Sequence, residues 1–159
     1  MDFNVGRLVR ILDSLNLRDN TLILFTGDNG TPTKFITEIR DGEFIREPIF
    51  SILNGDTVIG QKSKLTDAGT HVPLIANWQG VVEEGAVNNN LIDFSDFFKT
   101  LLDIANLDIP HNRIIDGKSF KPQLLGLEGN PREWAYNEWE GNYWIRNHEW
   151  KLYNDGRLY

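Results

Sequence analysis

Four consecutive large apolar residues, Leu22-Ile23-Leu24-Phe25, run almost directly into Asp28-Asn29-Gly30. A short, uninterrupted apolar run bounded by turn formers has the pattern of a strand covered on both faces, as in a parallel sheet. The end of such a strand is where α/β proteins build their sites. Asp28 and Asn29 place a carboxylate and an amide oxygen there, the groups a hard cation prefers, and Gly30 lets the backbone turn sharply beside them. Asp-Asn-Gly is also an ordinary turn sequence, so the tripeptide by itself leaves both readings open.

The rest of the chain supplies the layers around that strand. Val5, Leu8, Val9, Leu12 and Leu15 recur at helical spacing and predict an amphipathic helix ending near Asn16. The turn Arg18-Asp19-Asn20 then leads into a strand from Thr21 to Thr26. Residues 31–59 lose periodicity, with Pro32, Gly42, Pro48 and Gly55 as punctuation, and read as an insertion of short strands or a flap. Val72 to Trp78 is a second buried strand. Phe94, Phe97, Phe98, Leu101, Leu102 and Ala105 share one face of a helix that Asp93 or Ser95 is placed to cap, and this stripe is expected to be core. Alternating helices and strands indicate an α/β layer.

Past the Gly- and Pro-containing segment 126–131 the composition shifts to aromatics: Trp134, Tyr136, Trp139, Tyr143, Trp144, Trp150, Tyr153 and Tyr159. Apolar and polar residues alternate around the turns Asn147-His148 and Asn154-Asp155-Gly156, which predicts a small antiparallel meander. The predicted organisation is therefore an α/β part over 1–126 and an incomplete small sheet over 127–159. Exposed Trp faces suit carbohydrate rings, but strands also favour aromatics for the area they bury. Trp134, Trp144 and Trp150 are expected to join sheet to core.

With 159 residues, 40% hydrophobic and 25% charged, the chain has enough apolar material for one compact core. No segment approaches the roughly 20 apolar residues of a membrane span, and no membrane partner is expected. A formal charge of -7 opposes nonspecific nucleic-acid binding, which Lys and Arg drive. There is no Cys, which excludes disulfides, thiolate metal sites and a thiol nucleophile within these residues. His71, His111 and His148 show no metal-ligand spacing.

Three blocks carry a resemblance. Asp28-Asn29-Gly30 closes an apolar strand. Gly60-Gln61-Lys62 is followed by Asp67-Ala68-Gly69, Val72-Pro73, an apolar strand and Trp78-Gln79-Gly80. Asp93-Phe94-Ser95-Asp96-Phe97-Phe98 opens a helix, after which come Asp116-Gly117-Lys118-Ser119-Phe120 and Leu124-Leu125-Gly126. In order and chemistry the chain resembles the C-terminal portion of the sulfatase family, within the alkaline-phosphatase-like superfamily. The resemblance implies a mixed sheet flanked by helices and followed by a small antiparallel sheet. It also implies hydrolysis of the sulfate ester of a sulfated carbohydrate or aryl compound, the partner thus being a sulfated small molecule or glycan, by a formylglycine nucleophile with a divalent cation, and a periplasmic or extracellular setting.

Carried over by motif, Asp28 and Asn29 match metal ligands, usually for calcium, shared with residues elsewhere in the family's fold. Lys62 matches the lysine that contacts the sulfate, with Lys64 a competitor for that role. The common Glu-Gly-Gly-x-Arg-Val-Pro run reads here Asp67-Ala68-Gly69-Thr70-His71-Val72-Pro73, so His71 stands in place of Arg. It is either a substrate contact or a structural histidine at a strand entrance. Formylglycine forms from Cys or Ser in Cys-x-Pro-x-Arg or Ser-x-Pro-x-Arg. None of the serines here begins such a segment. The chain is accordingly expected to be inactive alone and to self-associate through unpaired strand edges. Two alternatives stand beside this reading: a noncatalytic remnant or glycan-binding module with the same fold, and a related phosphodiesterase or phosphonate hydrolase.

Overall fold

The computed structural model of the chain describes residues 1–53 and 55–159. In chain order the elements are α1 (Asp2–Ser14), a 3₁₀ turn (Arg18–Asn20), β1 (Ile23–Thr26), β2 (Lys34–Arg40), β3 (Glu43–Pro48), β4 (Phe50–Leu53), β5 (Asp56–Ile59), α2 (Asp67–Thr70), β6 (Leu74–Asn77), α3 (Ser95–Ile104), α4 (Lys121–Leu124), β7 (Ala135–Trp139), β8 (Asn142–Arg146) and β9 (Lys151–Tyr153). Both expected strands are present in shorter form, and β1 pairs with β6. The insertion resolves into two hairpins, β2 with β3 and β4 with β5, and the C-terminal meander has the order β7-β8-β9. Among the described residues no helix is long and apolar enough to cross a membrane.

The chain falls into two compact units. One comprises Met1–Leu24, Ile75–Ala135 and Asn147–Glu149, the other Phe25–Leu74, Tyr136–Arg146 and Trp150–Tyr159.

In the first unit, α1 and α3 end by the same device. Asn16 and Asn106 take positive φ (54° and 53°), which Asn tolerates better than most residues. Leu17 N–H then reaches back to Leu12 O (2.9 Å), and Leu107 N–H to Leu102 O (2.9 Å), completing a Schellman closure. Past α1, Trp78 Nε1 donates to Asp19 O (2.9 Å) and the Arg18 guanidinium to Asn77 Oδ1, so the Trp of the Trp-x-Gly motif is held by its indole N–H.

The start of α3 departs from expectation. Phe94 occupies the N-cap, and Asp93, one residue earlier, accepts Ser95 N–H (2.9 Å) and its hydroxyl (2.6 Å). The buried residues of α3 are Asp96 and Thr100, at 2% and 0% exposure, while Phe94, Phe98 and Leu101 remain about half exposed. The aromatic stripe is therefore only partly covered, with Phe97 against Phe120 in a T-shaped contact at 5.3 Å. The reason is that the backbone of 117–120 lies against the polar side of the helix. A Cβ on Gly117 would sit 2.1 Å from Ser95 O, and at that proximity Asp96 and Thr100 serve the neighbouring N–H groups. Asp96 accepts Lys118 N–H (2.7 Å) and Asp93 N–H (2.8 Å), and Thr100 accepts Phe120 N–H (3.0 Å).

Arg132, itself 9% exposed, closes on the Asp96 carboxylate through Nε (3.0 Å) and Nη2. The fork geometry satisfies both carboxylate oxygens at once. The hydrogen bond to Asp96, working against burial, holds the guanidinium pKa above its ordinary value.

In the second unit, Asp41-Gly42 and Glu140-Gly141 both take positive φ at two successive positions, the type I′ geometry that matches strand twist in two-residue hairpins. The meander alternates as expected: Trp144 and Lys151 are buried, and Tyr136, Tyr143, Ile145 and Leu152 are exposed. Of the three tryptophans expected to join sheet to core only Trp144 is buried. Trp134 and Trp150 are 51% and 54% exposed, since their positions flank the strands and do not share the inward register.

Replacing Arg132 with Met should leave Asp96 buried with an uncompensated charge and lower stability by about 3 kcal/mol or more. A urea midpoint within error of the unmodified chain would show that the pair contributes little.

Candidate functional site

The second unit brings the Asp-Asn-Gly turn and the Lys62 loop together through backbone contacts. Gly30 N–H donates to Gly69 O (2.8 Å), and Lys62 N–H to Thr31 O (2.9 Å), two residues past Asn29. Gly30 and Gly60 make this approach possible, and Gly69 lets the loop close on itself. A Cβ at Gly30 would lie 2.0 Å from Ala68 O, at Gly60 2.1 Å from Pro32 O, and at Gly69 2.1 Å from Lys64 O. None of the three has positive φ. Gly30 was read from sequence as a means to turn sharply; its structural requirement is lack of volume, because backbone occupies the space a side chain would need.

Asp28 is exposed and Asn29 half-buried, with Asn29 Nδ2 donating to Asp28 Oδ2 at 2.8 Å. The pair therefore presents adjacent carboxylate and amide groups at the end of β1. Their oxygens are of the type calcium takes, but calcium takes six to eight. Among the described residues no group of three or more His, Cys, Asp or Glu side chains could hold a metal. Asp28 and Asn29 thus fit as part of a coordination shell and fall short of a whole one.

Lys62 and Lys64 are both exposed and flank Ser63, which takes φ 67°. That conformation costs a non-glycine residue about 1 kcal/mol, so it persists only because the loop is tied on both sides. On one side Lys62 N–H is fixed to Thr31. On the other, Thr66 Oγ1 donates to Gln61 Oε1 (2.5 Å), and Gly69 N–H to Thr66 O (2.9 Å). His71 is exposed at the end of α2, its N–H donating to Asp67 O (2.8 Å).

Asp67 is the electrostatic focus of this segment. Its Oδ1 accepts from Lys151 Nζ at 2.7 Å, and Arg146 Nη1 lies 3.5 Å from Oδ2. Partial burial pushes the Asp67 pKa up. The hydrogen bond and charge of Lys151, with the charges of Arg146 and His71, outweigh it and hold the carboxyl below its ordinary 3.8. Lys151 also donates to Leu65 O (3.0 Å), which accepts Tyr153 Oη (3.2 Å) as well. Sequence reading missed Lys151 and Arg146. The available signal was alternation: in Trp150-Lys151-Leu152-Tyr153, Lys151 and Tyr153 share the strand face opposite exposed Leu152.

Comparisons with known proteins bear on the family and the fold. The sulfatase family profile matches residues 1–107. The N-acetylgalactosamine-6-sulfatase of Canis lupus familiaris is 27% identical over 98% of this chain and 30% of its own length. The N-acetylgalactosamine-6-O-sulfatase of Bacteroides thetaiotaomicron is 31% identical over 87% of this chain and 26% of its own. A solved structure of BT4656 in complex with its substrate D-glucosamine-2-N,6-O-disulfate superposes with a TM-score of 0.69 and 26% identity, covering 99% of this chain and 30% of that one. The chain belongs to the sulfatase family. It spans about 30% of the length of the Canis lupus familiaris relative it matches.

Two outcomes are expected from the geometry. Gly30→Ala should destabilise the chain by about 2 kcal/mol or more, because backbone must move to admit the methyl group. Gly6→Ala in α1, where the nearest atom is 3.5 Å away, should stabilise by up to about 1 kcal/mol. Thermal melts that rank the two variants alike would refute the close-approach argument.

For Asp67 the sign follows from its lowered pKa. Its contribution is complete above the ordinary carboxylate value and is lost as pH falls through the lower folded value. A carboxyl NMR titration should give a midpoint below 3.8; a midpoint at or above it would contradict pairing with Lys151.

Proposed function

We propose that this chain forms part of the active centre of a sulfatase acting on sulfate esters of carbohydrates, outside the cytoplasm. The observation that supports this reading best is the backbone lock between the Asp28-Asn29-Gly30 turn and the Lys62 loop. It keeps two oxygen ligands and a cationic side chain on neighbouring segments. The names of the relatives, N-acetylgalactosamine-6-sulfatases among them, and the disulfated glucosamine bound by BT4656 favour a sulfated amino sugar or a glycan built from one.

In this reading Asp28 supplies negative charge and Asn29 a neutral oxygen to a divalent cation, with calcium the best match to the donor set. When bound, the cation polarises the sulfate oxygens and favours the deprotonated nucleophile. Lys62 contributes a compact, mobile ammonium charge that binds a sulfate oxygen and offsets charge on the leaving oxygen. His71, exposed and standing at the Arg position of the motif on which the resemblance rests, is a second candidate for contact with the anionic substrate. The family's formylglycine has no precursor here, since the chain contains no Cys and no Ser-x-Pro-x-Arg. In this reading the nucleophile and the remaining ligands are supplied from outside these residues, and the chain alone is expected to be inactive. The exposed apolar side chains of α1 and α3, with Leu8 at 61% and Phe98 at 50%, also favour self-association of the isolated chain.

NMR titration with calcium, followed by an aryl sulfate, tests the reading against a glycan-binding module. Expected are shifts confined to Asp28, Asn29 and the Lys62 loop, with calcium affinity no tighter than about 0.1 mM and the ester response lost in Lys62→Ala. Shifts centred on Tyr136 and Tyr143 of the exposed meander face would instead support a binding module. Turnover of the ester by the pure chain would overturn the requirement for an external nucleophile.

A further inference from the structure

The Lys62 loop has little structure of its own. Residues 61–70 contain only the one-turn helix α2, and an isolated turn is too short to be stable by propensity. One side of the loop is tied to Thr31 by the Lys62 N–H. The other side is held from the meander by Lys151, a residue no function has yet explained.

Lys151 is 8% exposed in β9, with its ammonium 4.5 Å from the Trp144 ring centroid and 5.2 Å from that of Tyr153. Burying an ammonium is costly, and an apolar residue of similar volume would serve packing alone at least as well. Its two oxygen partners, Asp67 Oδ1 at 2.7 Å and Leu65 O at 3.0 Å, both lie in the one loop. Tyr153 Oη reinforces the second of them at Leu65 O. The aromatic walls limit where the ammonium can go and favour a cation in that place.

We propose that Lys151 is a positioning residue for the sulfate-contacting loop: by clamping Asp67 and Leu65 it fixes the far end of the segment from which Lys62 projects. The functional half of this inference rests on Lys62 being the sulfate contact; the mechanical half does not. Lys151 does not touch the substrate. It acts through loop order, so its loss should weaken ester binding at Lys62 without removing any group that binds.

The test is amide hydrogen exchange on the 159-residue chain at matched concentration, in the unmodified protein and in Lys151→Met, Lys151→Arg and Asp67→Asn. In Lys151→Met the amides of Lys62, Lys64 and Gly69 should exchange about tenfold faster or more, while those of α3 and of the β2–β3 hairpin keep their rates. Asp67→Asn should reproduce the pattern, and carries the test if Lys151→Met does not fold. Lys151→Arg, which retains the cation, should restore most of the protection. Unchanged exchange in 61–70, or an equal rise throughout the chain, would overturn the proposal. The aryl sulfate titration separates its two halves. Shifts at Lys62 that weaken in Lys151→Met support both, whereas no ester response in the unmodified chain would sink the sulfate reading and leave the exchange result to decide the clamp.

Discussion

Backbone packed on backbone, without side chains between, is the constraint on which the candidate site depends. Gly30, Gly60 and Gly69 each face a carbonyl at a distance that excludes even a methyl group. The hydrogen bonds Gly30 to Gly69 and Lys62 to Thr31 form because the strands of chain can come that close. Asp28, Asn29 and Lys62 lie on the two segments that this contact joins. In this arrangement glycines set the geometry, and the side chains of Asp28, Asn29 and Lys62 take no part in the contact that joins their segments.

Each unit also contains an ion pair with a largely buried cation, and the two differ in what they hold. Asp96 and Arg132 form a forked pair, with the remaining capacity of the carboxylate used by backbone N–H groups, so the cluster fixes the start of α3 and the segment around Lys118. Asp67 and Lys151 form a more open pair, with Asp67 38% exposed, on a loop that has almost no other regular structure. Burying Arg132 with Asp96, and the Lys151 ammonium, is costly, and in both cases the cost is offset by satisfying several partners at once. The first arrangement stiffens a scaffold. The second restrains a segment that carries a candidate ligand-binding side chain.

Sequence made some of this readable. The apolar run before Asp28, the hairpin turns and the alternation of the meander are local patterns set by side-chain period and backbone φ. Family membership followed from motif order and is supported by the profile match over residues 1–107. The α3 stripe shows where such reasoning fails. Period correctly identified the helix, yet Asp96 and Thr100 are more deeply buried than Phe94 or Phe98, because the neighbouring backbone presents N–H groups that need acceptors. Trp134 and Trp150 were likewise assigned inward by residue type, when register decides which aromatic faces in.

By itself the sequence determined which segments form helices, strands and tight turns, since these depend on neighbours a few positions away, and through motif order it named Asp28, Asn29 and Lys62 as candidates for cation and anion binding. Only the tertiary structure decided that Gly30 is required for space, that Asp96 is answered by Arg132, and that Lys151 reaches across 84 positions to Asp67. The physical reason is range. Periodicity reports which face of an element is apolar, but a hydrogen bond or ion pair between distant segments depends on the path of the intervening chain, and no local pattern records that path.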